Sequence, residues 1–381
     1  DFPAADKPVD RMSRRAFLRT VSLLSALAGG GLLTTACRPV QLPHSPASAT
    51  SAKDIPANER EHSVPDSASA ATTSIYKSNG KQARVAFVKT TDRAEGVRQA
   101  LQLLAAPPLS HKRLLLKPNF NSADPAPGST HPTVLRTLVE ELWTQQASAI
   151  TVADRSGMGD TRQVMSQVGL FDLAKTLDFE TVVLDELGKA DWELIRTPEQ
   201  HWQQGFLLPK QLLDSDAVVQ TCCLKTHRFG GHFTLSLKNS VGLVAKSRPG
   251  ASYNYMNELH SSPQQRTLIA EINAAYAPAL IVLDGVEAFT SGGPVNGKRV
   301  AAIVVLASTD RIAIDAVGVA LLRHHGTTPE VSKGAIFAQQ QIARAVELGF
   351  GVKSPNEIEL VTADADSAAY AAQIRQLLDQ G

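Results

Sequence analysis

The chain has 381 residues, with 38 Lys+Arg against 37 Asp+Glu, 43% hydrophobic residues and 5% aromatics. A net charge of +1 leaves no electrostatic footprint for a nucleic-acid binder. Three cysteines exclude a disulfide scaffold and cannot ligate even one four-cysteine iron–sulfur cluster, and no run of about 20 unbroken apolar residues marks a membrane span.

Residues 1–37 read as a signal region. Met12 opens the run Ser13-Arg14-Arg15-Ala16-Phe17-Leu18-Arg19, which resembles the twin-arginine export signal, so residues 1–11 read as lying ahead of the natural start. Residues 21–36 are weakly apolar and diluted by Gly29, Gly30 and Gly31, which suits a signal h-region better than a spanning helix. Cys37 follows Leu33-Thr34-Thr35-Ala36; a small residue before cysteine resembles a lipidation site, with the leucine one place too far upstream. The alternative is cleavage after Ala49, at the end of Ala47-Ser48-Ala49. The resemblance implies the twin-arginine translocase as a partner and an extracytoplasmic location, with membrane attachment only through a lipid on Cys37. Residues 38–80 are rich in Ser, Ala, Pro and Thr and bury too little to offset ordering entropy, so they are expected to be a disordered tether.

From residue 84 strands and helices alternate. Residues 84–89 predict a strand and 93–104 a helix, with Val97, Leu101 and Leu104 on one stripe. Residues 114–116 form a short apolar strand ending at Lys117-Pro118-Asn119. The helix that follows starts near Pro132, with Ser129 or Thr130 as its cap. Residues 149–153 are a strand ending at Asp154-Arg155; 181–184 and 217–224 follow as strands, the latter ending at Lys225. Cys222 and Cys223 are adjacent there, so they point to opposite faces and read as buried thiols. The period of 233–240 fits helix or strand, with helix favoured; it would bring Lys238 and Asn239 to the same loop cluster. Residues 264–276 predict a helix, 280–283 a strand ending at Asp284-Gly285, and 300–307 a strand before a helix near Asp310. Loops are expected at 246–257, as a flap, and at 290–298. His324-His325 sits at a helix C-terminus, where the dipole favours it. Near-continuous apolar runs separated by helices predict an α/β fold with a mostly parallel central sheet and helices on both faces, as one domain over 81–365, with 366–381 a C-terminal helix or tail.

Lys117, Asp154, Lys225 and Asp284 each end an apolar run. In open parallel sheets ligands bind beyond the C-terminal strand edge, so these four predict a shared site. If the strand continues past Lys225, Lys225 and His227 share a face, one to hold an anion or carry a proton, the other as base or metal ligand. Asp315 lies on a helix that is apolar nearly all round; a buried carboxylate there needs a site cation or a backbone donor and reads as structural. The chain has no Gly-x-Ser-x-Gly, His-Glu-x-x-His, phosphate-loop or dinucleotide-glycine pattern.

The ordered series Lys117-Pro118-Asn119, Thr130-His131-Pro132, Ala153-Asp154-Arg155-Ser156-Gly157, Lys225-Thr226-His227, Phe233-Thr234 with Ser236-Leu237-Lys238-Asn239, Asp284-Gly285 with Gly293-Pro294, and Asp310 with Ala313-x-Asp315 resembles the domain of unknown function 362 family over about residues 84–350. The resemblance implies an α/β domain, found in redox-associated or exported proteins and in many relatives fused to a ferredoxin-type cluster module. This chain departs there, because three cysteines cannot build that module, so no iron–sulfur cluster of its own is expected. The functional expectation is an enzyme with a basic cleft for a small anionic substrate. Asp154, Lys225 and His227 would do isomerase- or lyase-like proton transfer, and Lys117, Asn119, His131, Arg155, Lys238 and Asn239 would bind substrate. A divalent metal is assigned to Asp154 and Asp284. The alternatives are a solute- or cofactor-binding lipoprotein without turnover, and an accessory or assembly factor for an exported redox enzyme.

Overall fold

The computed structural model describes residues 82–105, 108–197 and 199–380. Met12, the arginine pair, Cys37, Ala49 and the expected tether lie outside the described residues. No helix among the described residues is long and apolar enough to cross a membrane.

Among the described residues eleven strands form, in chain order β1 (Ala83–Lys89), β2 (Arg113–Lys117), β3 (Ala149–Asp154), β4 (Glu180–Val183), β5 (Trp192–Ile195), β6 (Phe206–Pro209), β7 (Ala217–His227), β8 (His232–Thr234), β9 (Pro278–Gly292), β10 (Gly297–Ser308) and β11 (Ile358–Val361). Nine of them make one sheet in the order β11-β1-β10-β9-β7-β2-β3-β4, with β8 added to β7; β5 and β6 pair separately. β2, β3, β4, β7 and β9 are mutually parallel through their pairings, and only β10 on the main path runs against its neighbours. The helices used below are α1 (Arg93–Leu104), α2 (Pro132–Thr144), α3 (Ser236–Asn239), α4 (Gln265–Ile272), α5 (Arg311–His324), α6 (Gln340–Glu347) and α7 (Ala365–Gln380).

The apolar runs are unbroken because both faces of the sheet are covered. Leu114 and Leu116 pack with Val134, Leu135 and Leu138 of α2, while Leu115 between them packs with Leu268, Ile269 and Ile272 of α4. In β9 the same alternation sends Leu280 and Val282 to the α2 side and Ile281 and Leu283 to the cluster around α5. The mostly parallel sheet with helices on both faces is therefore the architecture of this chain.

Several local expectations change. Residues 290–298 are not a loop: β9 runs to Gly292 and β10 starts at Gly297, so the two strands form a hairpin with a four-residue turn, and no crossover helix is available to make β10 parallel. Gly293 in this turn has φ +63, and a Cβ on it would stand 2.0 Å from the Thr226 carbonyl oxygen, so only glycine fits. The 246–257 flap is shorter than expected, because Ser247 bridges Asn254 and a helix begins at Tyr255. Residues 233–240 divide: Phe233 and Thr234 belong to β8 and the helix begins at Ser236. His131, not Ser129 or Thr130, caps α2; its Nδ1 accepts from the Thr133 amide at 3.1 Å. α7 packs Tyr370, Ala371, Ile374 and Leu378 into the cluster that holds Phe87 and Leu322. Cys222 and Cys223 are both free and buried, and burial pushes both thiols up, Cys223 to about 11.

Candidate functional site

The chain leaves β2 toward β3 on one side of the sheet and leaves β7 toward β9 on the other, although β2 and β7 are neighbours. This is a point where the connections diverge and open a crevice beyond the C-terminal strand edge. Into it project the ends of β2 (Lys117), β3 (Asp154) and β7 (Lys225 and His227). A cavity of about 40 Å³ lies there, room for about three waters. Eight of the residues expected at the site line it: Lys117, Asn119, Asp154, Arg155, Lys225, His227, Lys238 and Asn239.

β7 continues through His227, so Lys225 and His227 share a face, and the antiparallel pairing of Lys225 with Thr234 brings Thr234 beside them. The tight return from β7 to β8 passes through Gly230 and Gly231. At Gly231 a Cβ would stand 2.5 Å from Lys238 Cε and 3.0 Å from His227 Nδ1, so its absence leaves those two side chains facing one space. α3, which carries Lys238 and Asn239, is fixed from across the core. Asp315 on α5 accepts from the Ser236 amide at 2.7 Å and the Leu237 amide at 3.1 Å. The buried acid of the apolar helix is thus satisfied by backbone donors, and burial raises it to about 7.

A continuous polar chain runs through the floor of the cavity. Lys225 Nζ donates to Asn119 Oδ1 at 2.8 Å, Asn119 Nδ2 donates to Asn239 Oδ1 at 3.1 Å, and Lys117 Nζ donates to the same Asn239 oxygen at 3.1 Å. Lys117 also pairs with Asp154 at 2.7 Å. Asp154 accepts from the amides of Phe120 and Arg155, each at 2.7 Å, so the carboxylate is held by three donors. Burial pushes the Asp154 carboxyl up and the Lys117 ammonium down, and their pairing opposes both shifts. Gly242 closes this corner; a Cβ there would stand 2.6 Å from Asp154 Oδ1 and 2.8 Å from Lys117 Nζ.

The other cations of the cavity pair with no carboxylate among the described residues. Arg155 donates to the carbonyls of Val244 and Val241, both at 2.7 Å, and to that of Ser156. Lys225 donates to the carbonyls of Gly128 and Pro294 besides Asn119. Lys238 Nζ has no hydrogen-bond or ion-pair partner among the described residues. Burial and then the charges of Lys225 and Arg155 lower it to about 7. His227 lies well below the usual imidazole range, first through burial and then through Lys238 and Lys225, so it is neutral at pH 7. Its Nδ1, together with Asn121 Nδ2 and Thr234 Oγ1, is buried without a partner among the described residues, and all three residues line the cavity. Three lysines and an arginine therefore surround a cavity lined by one carboxylate.

Two expected site residues lie elsewhere. His131 is committed to capping α2, and burial with the nearby Arg93 guanidinium lowers its pKa. Asp284 does not end a strand, because β9 continues eight residues beyond it; its carboxylate is bound by Arg93 Nε at 2.8 Å and by the Val286 amide. Both carboxylates assigned to a metal are thus already held by cations of this chain, and no group of three or more His, Cys, Asp or Glu gathers among the described residues. The residues present do not fit a divalent metal on Asp154 and Asp284.

The cavity also takes in Asn121, Gly157, Thr234, Val241, Gly242 and Pro294, which sequence reasoning did not assign to it. The signal was partly there: Gly157, Thr234 and Pro294 stand inside the motifs quoted above. At Gly157 a Cβ would stand 2.4 Å from Asn121 Oδ1. Gly242 and Asn121 sit next to quoted motifs, and only the fold shows what they touch.

A family model, Domain of unknown function (DUF362), matches residues 114–320, more than half of the chain and all of the cavity, so the chain belongs to this family. Over 255 residues it is 27% identical to the Thylakoid-associated protein sll1697 of Synechocystis sp., covering 65% of this chain and 74% of that protein. Among solved structures, the lactate racemase apoprotein from Thermoanaerobacterium thermosaccharolyticum overlays with a TM-score of 0.36 and 14% identity, over 77% of this chain and 86% of the other.

Proposed function

We propose that this member of the DUF362 family is an enzyme that binds a small anionic substrate, a carboxylate or phosphate, in the cavity beyond β2, β3 and β7 and moves a proton on it. One observation carries this reading: four buried cations, Lys117, Arg155, Lys225 and Lys238, face the cavity against a single carboxylate that is fully engaged with Lys117. Burying that much unmatched charge is costly, and a bound anion offsets the cost. Asn121 Nδ2 and Thr234 Oγ1 are donors waiting for an acceptor, while Lys117 and Lys225, already hydrogen-bonded, supply positive field. Asp154 orients Lys117 rather than trading protons. The proton carriers are Lys238, poised near neutrality, and neutral His227.

Titration calorimetry with phosphate and with acetate tests the reading. Binding is expected at pH 7 and should weaken as the pH rises through about 7, because Lys238 then loses its charge. It should fall at least tenfold in Lys225→Gln and survive chelation with EDTA. A wild-type chain that takes up neither anion would remove the reading. We also propose that the chain is exported by the twin-arginine route, on the strength of Ser13-Arg14-Arg15-Ala16-Phe17-Leu18. Retention of an Arg14→Lys, Arg15→Lys double variant in the cytoplasm would support this, and unchanged export would refute it.

A further inference from the structure

Three lysines reach the cavity, and they differ in what their amines are doing. Lys117 Nζ is held by Asp154, Asn239 Oδ1 and the Pro118 carbonyl; Lys225 Nζ is held by Asn119 Oδ1 and the Gly128 and Pro294 carbonyls. Each of these amines is saturated as a donor and pinned in place. Lys238 Nζ has neither acceptor nor counter-charge among the described residues, yet its residue is only 9% exposed and lines the cavity. A lysine that is merely structural would find a carbonyl or carboxylate; this one is kept out of such contacts, beside cations, on a helix anchored by Asp315. An amine in that setting is a nucleophile when a carbonyl carbon is presented to it. The space it faces is shared with His227 Nδ1, which has no partner among the described residues, because Gly231 carries no side chain to fill it.

Resting on the anion-binding reading above, we propose that Lys238 forms an imine with the carbonyl group of a 2-oxo acid whose carboxylate is the anion the cavity binds. Asn121 Nδ2 and Thr234 Oγ1 donate to that carboxylate within the field of Lys225 and Arg155. The adjoining carbonyl then lies toward Lys238. The neutral amine attacks the carbonyl carbon, forming the C–N bond while the C=O π pair moves to oxygen. That oxygen takes up a proton and the nitrogen gives one up, yielding a carbinolamine. A second protonation of the hydroxyl releases water as the nitrogen lone pair forms the C=N bond. Amine, carbonyl and one proton taken from solvent have become protonated imine and water, with no change in oxidation state. His227, neutral and beside the nitrogen, is placed to relay these protons. The protonated imine then accepts the electron pair left when the neighbouring carbon loses its proton, which is the proton-transfer chemistry proposed for the site.

Borohydride trapping decides the matter. The full-length chain is mixed with pyruvate at pH 7, reduced with sodium borohydride, digested and mapped by mass spectrometry. Lys238, with a pKa near 7, has a free-base fraction at pH 7 roughly a thousandfold that of an exposed lysine and should form the adduct ahead of every exposed lysine. A single reduced adduct on Lys238 is expected, suppressed by excess phosphate and absent from Lys238→Arg. Its formation should rise through about pH 7 rather than near pH 10. Mapping on the wild-type chain needs no variant to fold. Labelling spread over other lysines, or no greater than in the urea-unfolded chain, overturns the proposal. A chain that gains thermal stability from phosphate but gives no adduct loses the imine and keeps the anion site. A chain that does neither loses both.

Discussion

Replacing Asp154 by asparagine tests the electrostatics of the cavity most directly. The variant keeps the shape of the side chain but leaves the Lys117 ammonium buried, 1% exposed, with its counter-charge gone. Breaking a buried pair from one side typically costs about 3–5 kcal/mol. Lys117 has one escape, which is to fold without its proton. Discharging a lysine of unfolded pKa about 10.4 costs about 1.4 kcal/mol per pH unit below that value, hence about 4.6 kcal/mol at pH 7 and about 1.9 kcal/mol at pH 9. These figures cap the charge part of the penalty. In the variant the folded pKa of Lys117 lies below the unfolded one, so the unfolded chain binds more protons and stability rises with pH. A further loss of about 1–3 kcal/mol, independent of pH, comes from whichever of the Phe120 and Arg155 amides faces the new NH2 group. Urea unfolding of wild type and variant at pH 7 and pH 9 reads both parts. The gap should narrow by between 2 and 3 kcal/mol, as a rough figure, over those two pH units. A gap that stays constant would mean that Lys117 keeps its proton in the variant, so that burying its unpaired charge costs less than about 1.9 kcal/mol, and the charge argument for the cavity would fail.

Four further outcomes are expected. Gly242→Ala forces a methyl group onto the Lys117–Asp154 pair and should cost about 1–3 kcal/mol in urea unfolding while abolishing the phosphate-induced thermal shift. Arg93→Met leaves Asp284 buried without its cation and should destabilise by about 3–5 kcal/mol with phosphate binding intact; lost binding would return Asp284 to the site. Asp315, raised to about 7, binds a proton in the folded chain over a range where the unfolded chain has shed it. Its contribution is complete below about pH 4 and disappears as the pH rises through about 7, so Asp315→Asn should flatten the stability-versus-pH curve in that window; an unchanged slope would show that Asp315 does not titrate there. The peptides containing Cys222 and Cys223 should resist iodoacetamide in the folded chain and react only after unfolding, because both thiols are buried and shifted upward.

The sheet was legible because its strands are buried on both faces, and such strands leave an unmistakable run of apolar residues, as in Leu114-Leu115-Leu116 and Ile281-Val282-Leu283. Lys117, Asp154 and Lys225 were legible for the same reason: a charged residue at the end of such a run has few places to go. Asp284 looked identical in sequence, yet β9 continues through Gly285 and on to Gly292, and a glycine in a strand hides its continuation. His131 caps its helix although caps are usually hydroxyl or amide side chains rather than imidazoles, so the residues around Pro132 point to Ser129 or Thr130 instead. The glycines of the cavity were out of reach for a different reason. Nothing in the sequence around Gly242 or Gly231 says which side chain from another strand or helix comes within 3 Å.

The position of β1 bears on what could be excised from this chain. The family match starts at residue 114 and stops at 320, and that stretch holds every lining residue of the cavity. It omits β1, β11 and α7. A fragment cut to those limits would leave one side of β10, from Val304 to Ser308, with its ladder of amides and carbonyls unpaired. The surfaces of α5 and the sheet that Phe87, Tyr370 and Ile374 cover would be bare as well. An open, apolar edge of that kind recruits strands from other copies. The chemistry can be contained in the matched segment while its solubility is not, so an expression fragment should begin by Ala83 and retain the helix that ends at Gln380.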